Sequence, residues 1–155
     1  ATERTGVELF AEQYLGKLRV NESFTYVNAK IKKVGDDVLT STTYNFKDGQ
    51  KIPGVPSTKV TLGLDYEIAD GLRTTANLNY YSSSVDTYNE KIPSYSTTDL
   101  GLKYKHQSGF GLNAGVKNVF NKKYNVAQGK DPLTGKTVYS PADERTYYIG
   151  ASYEF

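Results

Sequence analysis

Along most of this chain apolar and polar residues alternate with period two, in stretches of about ten residues, the length of a strand that crosses a bilayer at a tilt. Seven such stretches can be read. Near 5–15, Val7, Leu9, Ala11 and Leu15 alternate with Gly6, Glu8, Phe10, Glu12 and Tyr14. Near 17–29, Leu18, Val20, Phe24 and Tyr26 oppose Lys17, Arg19, Asn21, Ser23 and Thr25. Clear alternation follows near 58–69 (Val60, Leu62, Leu64, Tyr66, Ile68), 71–82 (Leu72, Ala76, Leu78, Tyr80), 95–106 (Leu100, Leu102, Tyr104) and 109–121 (Phe110, Leu112, Ala114, Val116, Phe120). The last stretch, 146–155, sets Tyr147, Ile149, Ala151, Tyr153 and Phe155 against Thr146, Tyr148, Gly150, Ser152 and Glu154.

The connections decide what kind of sheet this is. Tight turns at 15–17, 69–71 and 106–109 alternate with long polar connections at 30–57, 83–94 and 122–144. Short turns at one end and long loops at the other are the asymmetry of outer-membrane barrels, with the turns periplasmic and the loops extracellular. The faces agree. The polar parity carries Glu8, Glu12, Arg19, Asp65, Glu67, Arg73, Asp99, Lys103, Lys105 and Lys117, too many charges for a packed sandwich core and normal for a wet lumen. The other parity is aliphatic in mid-strand with Tyr66, Tyr80, Tyr104, Tyr147 and Phe155 toward the ends, as interfacial aromatic girdles require. Two residues resist: Gln13 and Glu22 fall on the apolar parity of adjacent strands. A bulge there, a place near the interface, or a cover other than lipid would each account for them.

Composition adds little against this. Fourteen Tyr and 14 Gly without Trp, Met or Cys form a strand-and-turn inventory. A mean hydropathy of −0.57 would ordinarily suggest a soluble protein, and a soluble antiparallel sheet with one wet face is the bland alternative. The formal charge of +2 indicates no nucleic-acid partner. Absence of Cys removes disulfides and thiolate metal sites. No apolar run approaches the ~20 residues of a transmembrane helix. The fold class expected is therefore all-β, an antiparallel up-and-down transmembrane β-barrel, in the bacterial outer membrane.

The stretches ERTGVELFAEQYL, SFTYVNAKI, KIPGVPSTKVTLGLDYEI, GVKNVFNKKYN and ERTYYIGASYEF, in this order and spacing, resemble the C-terminal third of TonB-dependent outer-membrane receptors. NVFNKKY followed by a loop and an Arg-Thr-Tyr-Tyr strand ending in Phe is the most specific part. The resemblance implies a barrel of about 22 strands filled by an N-terminal plug, of which residues 1–155 supply the last seven. It implies import of a scarce ligand with energy from the TonB complex, most often a ferric siderophore, otherwise haem, cobalamin, another metal chelate or a sugar. No plug-like region or TonB box is seen. An open seven-stranded sheet leaves bare edges that a bilayer does not tolerate. The chain is therefore expected to be completed by a companion chain carrying the plug and the remaining strands. A structural or adhesive barrel without active transport, and a soluble β-sheet binding module, are the other function classes considered.

Enzymatic chemistry finds no support. GKDPLTGKT at 129–137 has five residues rather than four between Gly129 and Gly135 and opens no helix, so it is not a P-loop. GFGLNAG at 109–115 misses the dinucleotide spacing, and its glycines are expected to make room for a plug. His106 is the only histidine, which excludes a multi-histidine metal site. Asp36–Asp37 could hold Ca²⁺ with other oxygens, but solvated charge is the simpler reading. No catalytic residue, cofactor or metal ligand is assigned. For ligand binding, aromatic and cationic loop residues are the candidates: Tyr44, Phe46 and Lys47 in the longest loop, Tyr88 and Lys91 in the next, and Lys130, Lys136 and Tyr139 in the last. Glu8, Glu12, Asp65, Glu67, Arg73, Lys103 and Lys117 are expected to face the lumen and plug. Tyr147, Ile149, Tyr153 and Phe155 resemble the terminal signal that the barrel-assembly machinery reads by strand addition.

Overall fold

The computed structural model describes residues 1–35 and 46–155. Seven long strands form one antiparallel sheet: β1 (Thr2–Leu15), β2 (Leu18–Ile31), β3 (Thr58–Ala69), β4 (Leu72–Tyr81), β7 (Tyr95–Lys105), β8 (Phe110–Lys117) and β11 (Thr146–Tyr153). Their spatial order, β1-β2-β3-β4-β7-β8-β11, is their order in the chain, an up-and-down meander. Within the loops lie two small hairpins, β5 (Ser84–Val85) with β6 (Lys91–Ile92) and β9 (Asn125–Lys130) with β10 (Thr137–Pro141). The described residues contain no helix.

Tight turns set the register at one end. Gly16, Gly71 and Gly109 take φ of 61°, 70° and 88°, a left-handed conformation that β-carbon sterics deny to most residues. Leu15 consequently pairs with Leu18, and Ala69 with Leu72. With the pairing fixed, the period-two faces line up across all seven strands. One polar row runs Tyr14, Arg19, Asp65, Thr75, Gly101, Gly115, Tyr148. The adjacent apolar row runs Gln13, Val20, Leu64, Ala76, Leu100, Val116, Tyr147.

The burial pattern is inside-out relative to a water-soluble domain. Among the described residues only Ala29, Val34 and Ile92 are buried apolar side chains, whereas Asp65, Asp86 and Asn118 are buried at 7%, 3% and 5% exposure. Leu9, Leu64, Leu78, Leu102 and Ile149 are all exposed. An apolar face this large needs a non-aqueous cover, and a lipid bilayer supplies one to a sheet whose backbone groups are satisfied by its neighbours. This excludes the soluble-sheet alternative.

Pairing of β2 with β1 and β3 is continuous, so no bulge rescues Glu22. It lies opposite Ala11 and Leu62, four positions from both Leu18 and Tyr26 on its own strand. That places the carboxylate in the middle of the apolar run rather than at its edge.

Three expectations need correction. The sixth strand ends at Lys117, not near 121, because Asn118 and Asn121 adopt φ of 51° and 50° and turn the chain; Phe120 is consequently an exposed turn residue. The terminal strand ends at Tyr153. The glycines of 109–115 do not leave open space either. A β-carbon on Gly115 would lie 2.5 Å from both the Leu100 carbonyl oxygen and Cζ of Tyr148, and one on Gly101 would lie 3.0 Å from the Tyr148 hydroxyl. The Tyr148 ring therefore lies flat across Gly115 toward Gly101. Ser152 similarly covers Gly111, and Asn113 covers Gly150.

Candidate ligand-binding site

The three long connections leave the same end of the sheet and knit together there. Ile31 N–H donates to the Gln50 carbonyl and Ile52 N–H to that of Ala29, so 50–52 continue the β3 position beside β2. Gly54 N–H donates to the Val85 carbonyl, tying the first loop to the second. Asp86 then organises the β5–β6 turn. Its Oδ1 accepts the amides of Tyr88 at 2.9 Å and Glu90 at 2.8 Å, and its Oδ2 accepts Gln128 Nε2 at 3.3 Å from β9. Lys130 Nζ lies 2.7 Å from Glu90 and 3.0 Å from Thr137 Oγ1, a second clamp between the same hairpins. The hydrogen bond to Glu90 raises the Lys130 ammonium above the ordinary lysine range.

Between the first two loops this framework leaves a cavity of about 790 Å³ lined by Lys47, Asp48, Lys51, Ser84, Val85, Tyr88, Asn89 and Lys91, among others. Its volume falls in the range of small-molecule sites. Three lysines and one aspartate are among its lining residues, so the cavity attracts anions. The structure thus brings together Lys47, Tyr88 and Lys91 from the predicted set. Phe46 adjoins Lys47 in sequence. Lys130 is engaged by Glu90, while Lys136 and Tyr139 sit on the β9–β10 hairpin away from the cavity lining. Tyr44 and Asp36–Asp37 lie outside the described residues.

Sequence reading missed Lys51, Asp86 and Gln128, because short loop strands find their partners only in three dimensions. It also missed a tyrosine ladder at the loop end of the polar face. Tyr81 and Tyr95 stack at 4.9 Å between centroids and Tyr95 and Tyr124 at 3.9 Å, with Lys59 Nζ 5.4 Å from the Tyr81 ring. Burial holds the Tyr124 hydroxyl above the ordinary tyrosine range. Asn118 makes the ladder possible: its N–H donates to Asp99 at 2.8 Å, its Oδ1 accepts Lys122 N–H at 2.8 Å, and its Nδ2 donates to the Lys122 carbonyl at 2.9 Å. NVFNKKY is thereby a folding motif, a double left-handed turn that returns Tyr124 onto the sheet.

Deeper on the polar face, Asp65 accepts Arg73 Nε at 2.7 Å and Arg19 Nη2 at 3.3 Å. Arg19 reaches Glu12 at 3.7 Å and Arg73 reaches Glu67 at 3.6 Å. Glu8, Lys103 and Lys117 occupy the same parity, without an ion-pair partner among the described residues. Tyr147, Ile149, Tyr153 and Phe155 are exposed on the apolar side, with Tyr153 and Phe155 packed edge to face at 5.1 Å.

Comparison with known proteins fits this geometry. A family model described as TonB dependent receptor-like, beta-barrel, matches residues 1–119. A 47 kDa outer membrane protein of Pasteurella multocida is 26% identical over 151 residues, 94% of this chain and 31% of the relative. Among solved structures, the ferric citrate transporter FecA in its unliganded form superposes with a TM-score of 0.80 at 26% identity, over 99% of this chain and 24% of FecA. The ferric yersiniabactin uptake receptor FyuA from Yersinia pestis gives 0.78 at 19% identity, again over 99% of this chain and 24% of FyuA. The chain thus spans about a third or less of the length of these relatives.

Proposed function

Because this chain belongs to the TonB dependent receptor-like β-barrel family and lies in the bacterial outer membrane, we propose that it forms the last strands of the barrel of an active-transport receptor. The ligand proposed is a ferric siderophore or a similar anionic metal chelate, carried as cargo rather than held as a cofactor. Transport would draw energy from the TonB complex through a plug seated in the complete barrel. The charged polar face, with Glu12, Arg19, Asp65, Glu67 and Arg73 already cross-linked, would line the lumen against that plug. The exposed aromatic ending, Tyr147, Ile149, Tyr153 and Phe155, would serve the barrel-assembly machinery.

The observation that carries the ligand reading is the cavity that joins Lys47, Lys51, Tyr88 and Lys91 from two loops far apart in sequence. Ammonium groups complement the ligand oxygens of an anionic chelate, and a tyrosine face adds stacking contact. The family is one of receptors.

The test uses the complete receptor in iron-starved cells that lack other iron receptors. Radiolabelled ferric citrate and ferric siderophores are offered with and without a working TonB complex. TonB-dependent accumulation is expected, with Lys47→Gln and Lys91→Gln each weakening surface binding about two- to fivefold, the effect of one exposed ion pair. Binding without TonB-dependent accumulation would replace transport by the structural or adhesive reading.

A further inference from the structure

The outward face of the sheet holds one polar pair inside its apolar band. Glu22 on β2 and Gln13 on β1 both stand on the apolar parity, and both are exposed. Glu22 lies opposite Ala11, and Gln13 opposite Val20. The two are therefore diagonal neighbours on one face, about 7–8 Å apart and within reach of long side chains. Neither makes a hydrogen bond or an ion pair among the described residues. Around them the face is apolar, with Leu9 and Leu15 on β1, Val20 and Phe24 on β2, and Leu62 on β3. Ala11 is the smallest side chain of this patch, and it leaves room beside the Glu22 carboxylate for an incoming group.

Acyl chains offer nothing to either group, and a carboxylate against lipid is unfavourable. Their chemistry says what can cover them. A carboxylate only accepts hydrogen bonds, whereas a carboxamide brings two N–H donors. An occupant carrying one cation would answer Glu22 and leave Gln13 unpaired. A second copy of the same face answers both, because a two-fold contact presents to each copy what the other lacks. We propose that this face of β1 and β2 is the contact of a two-fold symmetric receptor dimer, in which Glu22 of each copy accepts from the carboxamide of the partner subunit's Gln13. Apolar packing gives little advantage over lipid inside a membrane, so these two hydrogen bonds fix where the copies meet. The contact lies on the opposite face of the wall from the lumen and does not rest on the ligand reading.

The test labels the intact receptor with donor or acceptor dyes and measures energy transfer between copies in vesicles as lipid is added. The parent should associate as a dimer and separate on dilution. Glu22→Leu or Gln13→Leu breaks both symmetry-related hydrogen bonds at once, so each should weaken association about tenfold, such bonds being individually modest in lipid. Combining Glu22→Gln with Gln13→Glu exchanges acceptor and donor and should restore association to within about twofold of the parent. Leu102→Ala, on the same apolar face but across the sheet on β7, should change nothing. In dilute vesicles, where lipid covers Glu22, Glu22→Leu should stabilise the separated receptor even as it weakens the dimer, a divergence that general misfolding does not produce. Energy transfer no greater than that of randomly scattered receptors would overturn the proposal. Parent-like association by both leucine variants, or an exchanged variant as weak as either of them, would overturn it equally.

Discussion

Replacing Asp86 by Ala should unlock the loop layer while leaving the membrane sheet intact. The carboxylate is 3% exposed and accepts two amides at 2.8 and 2.9 Å, with a longer contact to Gln128 at 3.3 Å. Hydrogen bonds to an ionised acceptor contribute about 1.5–3 kcal/mol each. Water can reach the freed amides, because Tyr88 is 39% exposed, so the low end applies to each short bond and little to the long one. The local loss is then about 3 kcal/mol, and β5 and β6, only two residues each, then rely mainly on the Gly54–Val85 hydrogen bond and the Glu90–Lys130 ion pair. Every ~1.4 kcal/mol is a factor of ten in an opening equilibrium, so amide protection across 84–92 should fall about a hundredfold. Hydrogen exchange on the full receptor measures this, with β7 as the internal reference that should not change. Asp86→Asn keeps an oxygen acceptor and should lose less than Ala by about tenfold. The idea fails if Asp86→Ala leaves protection of 84–92 within threefold of the parent. Since Ser84, Val85, Tyr88, Asn89 and Lys91 form one wall of the anion-attracting cavity, ligand affinity should fall in parallel with protection.

Two further outcomes follow from the sheet. Gly115→Ala forces a β-carbon to 2.5 Å from the Leu100 carbonyl oxygen, a backbone contact that no rotamer relieves, and should destabilise the receptor by about 1–3 kcal/mol. Urea unfolding in vesicles would show it, and a neutral result would mean that the strands part freely. Glu22→Leu should act in the opposite direction, stabilising by about 1–2 kcal/mol if lipid covers Glu22, since charge on the lipid face is unfavourable. Destabilisation in the same assay would instead reveal a polar partner on that face.

The wall of the barrel was legible because one period governs it. Alternation, tight turns and the length contrast of the connections all specify the same seven strands and the same faces. What escaped has a common physical origin. Ser84–Val85 and Lys91–Ile92 are too short to show a period, and Asp86 reads as one more loop carboxylate until Gln128 is folded beside it. Lys47, Tyr88 and Lys91 were recognisable by type, but the cavity that unites them needs the Gly54–Val85 hydrogen bond, which no local pattern encodes. The glycines misled for a different reason: absence of a side chain says that something comes close, not what does.

Tyr148 supplies that something, and its position also polices how the strands assemble. Its ring can lie flat only where Gly115 on β8 and Gly101 on β7 are both beneath it. A two-residue slip of β11 on β8 preserves the faces but would bring Asn113 or Lys117 under the ring in place of Gly115. A one-residue slip exchanges the faces outright. The aromatic plate and its paired glycines therefore act as a key and keyway across three strands: the misaligned arrangements are rejected by contact, and the final strand seats only when its two predecessors are already in step.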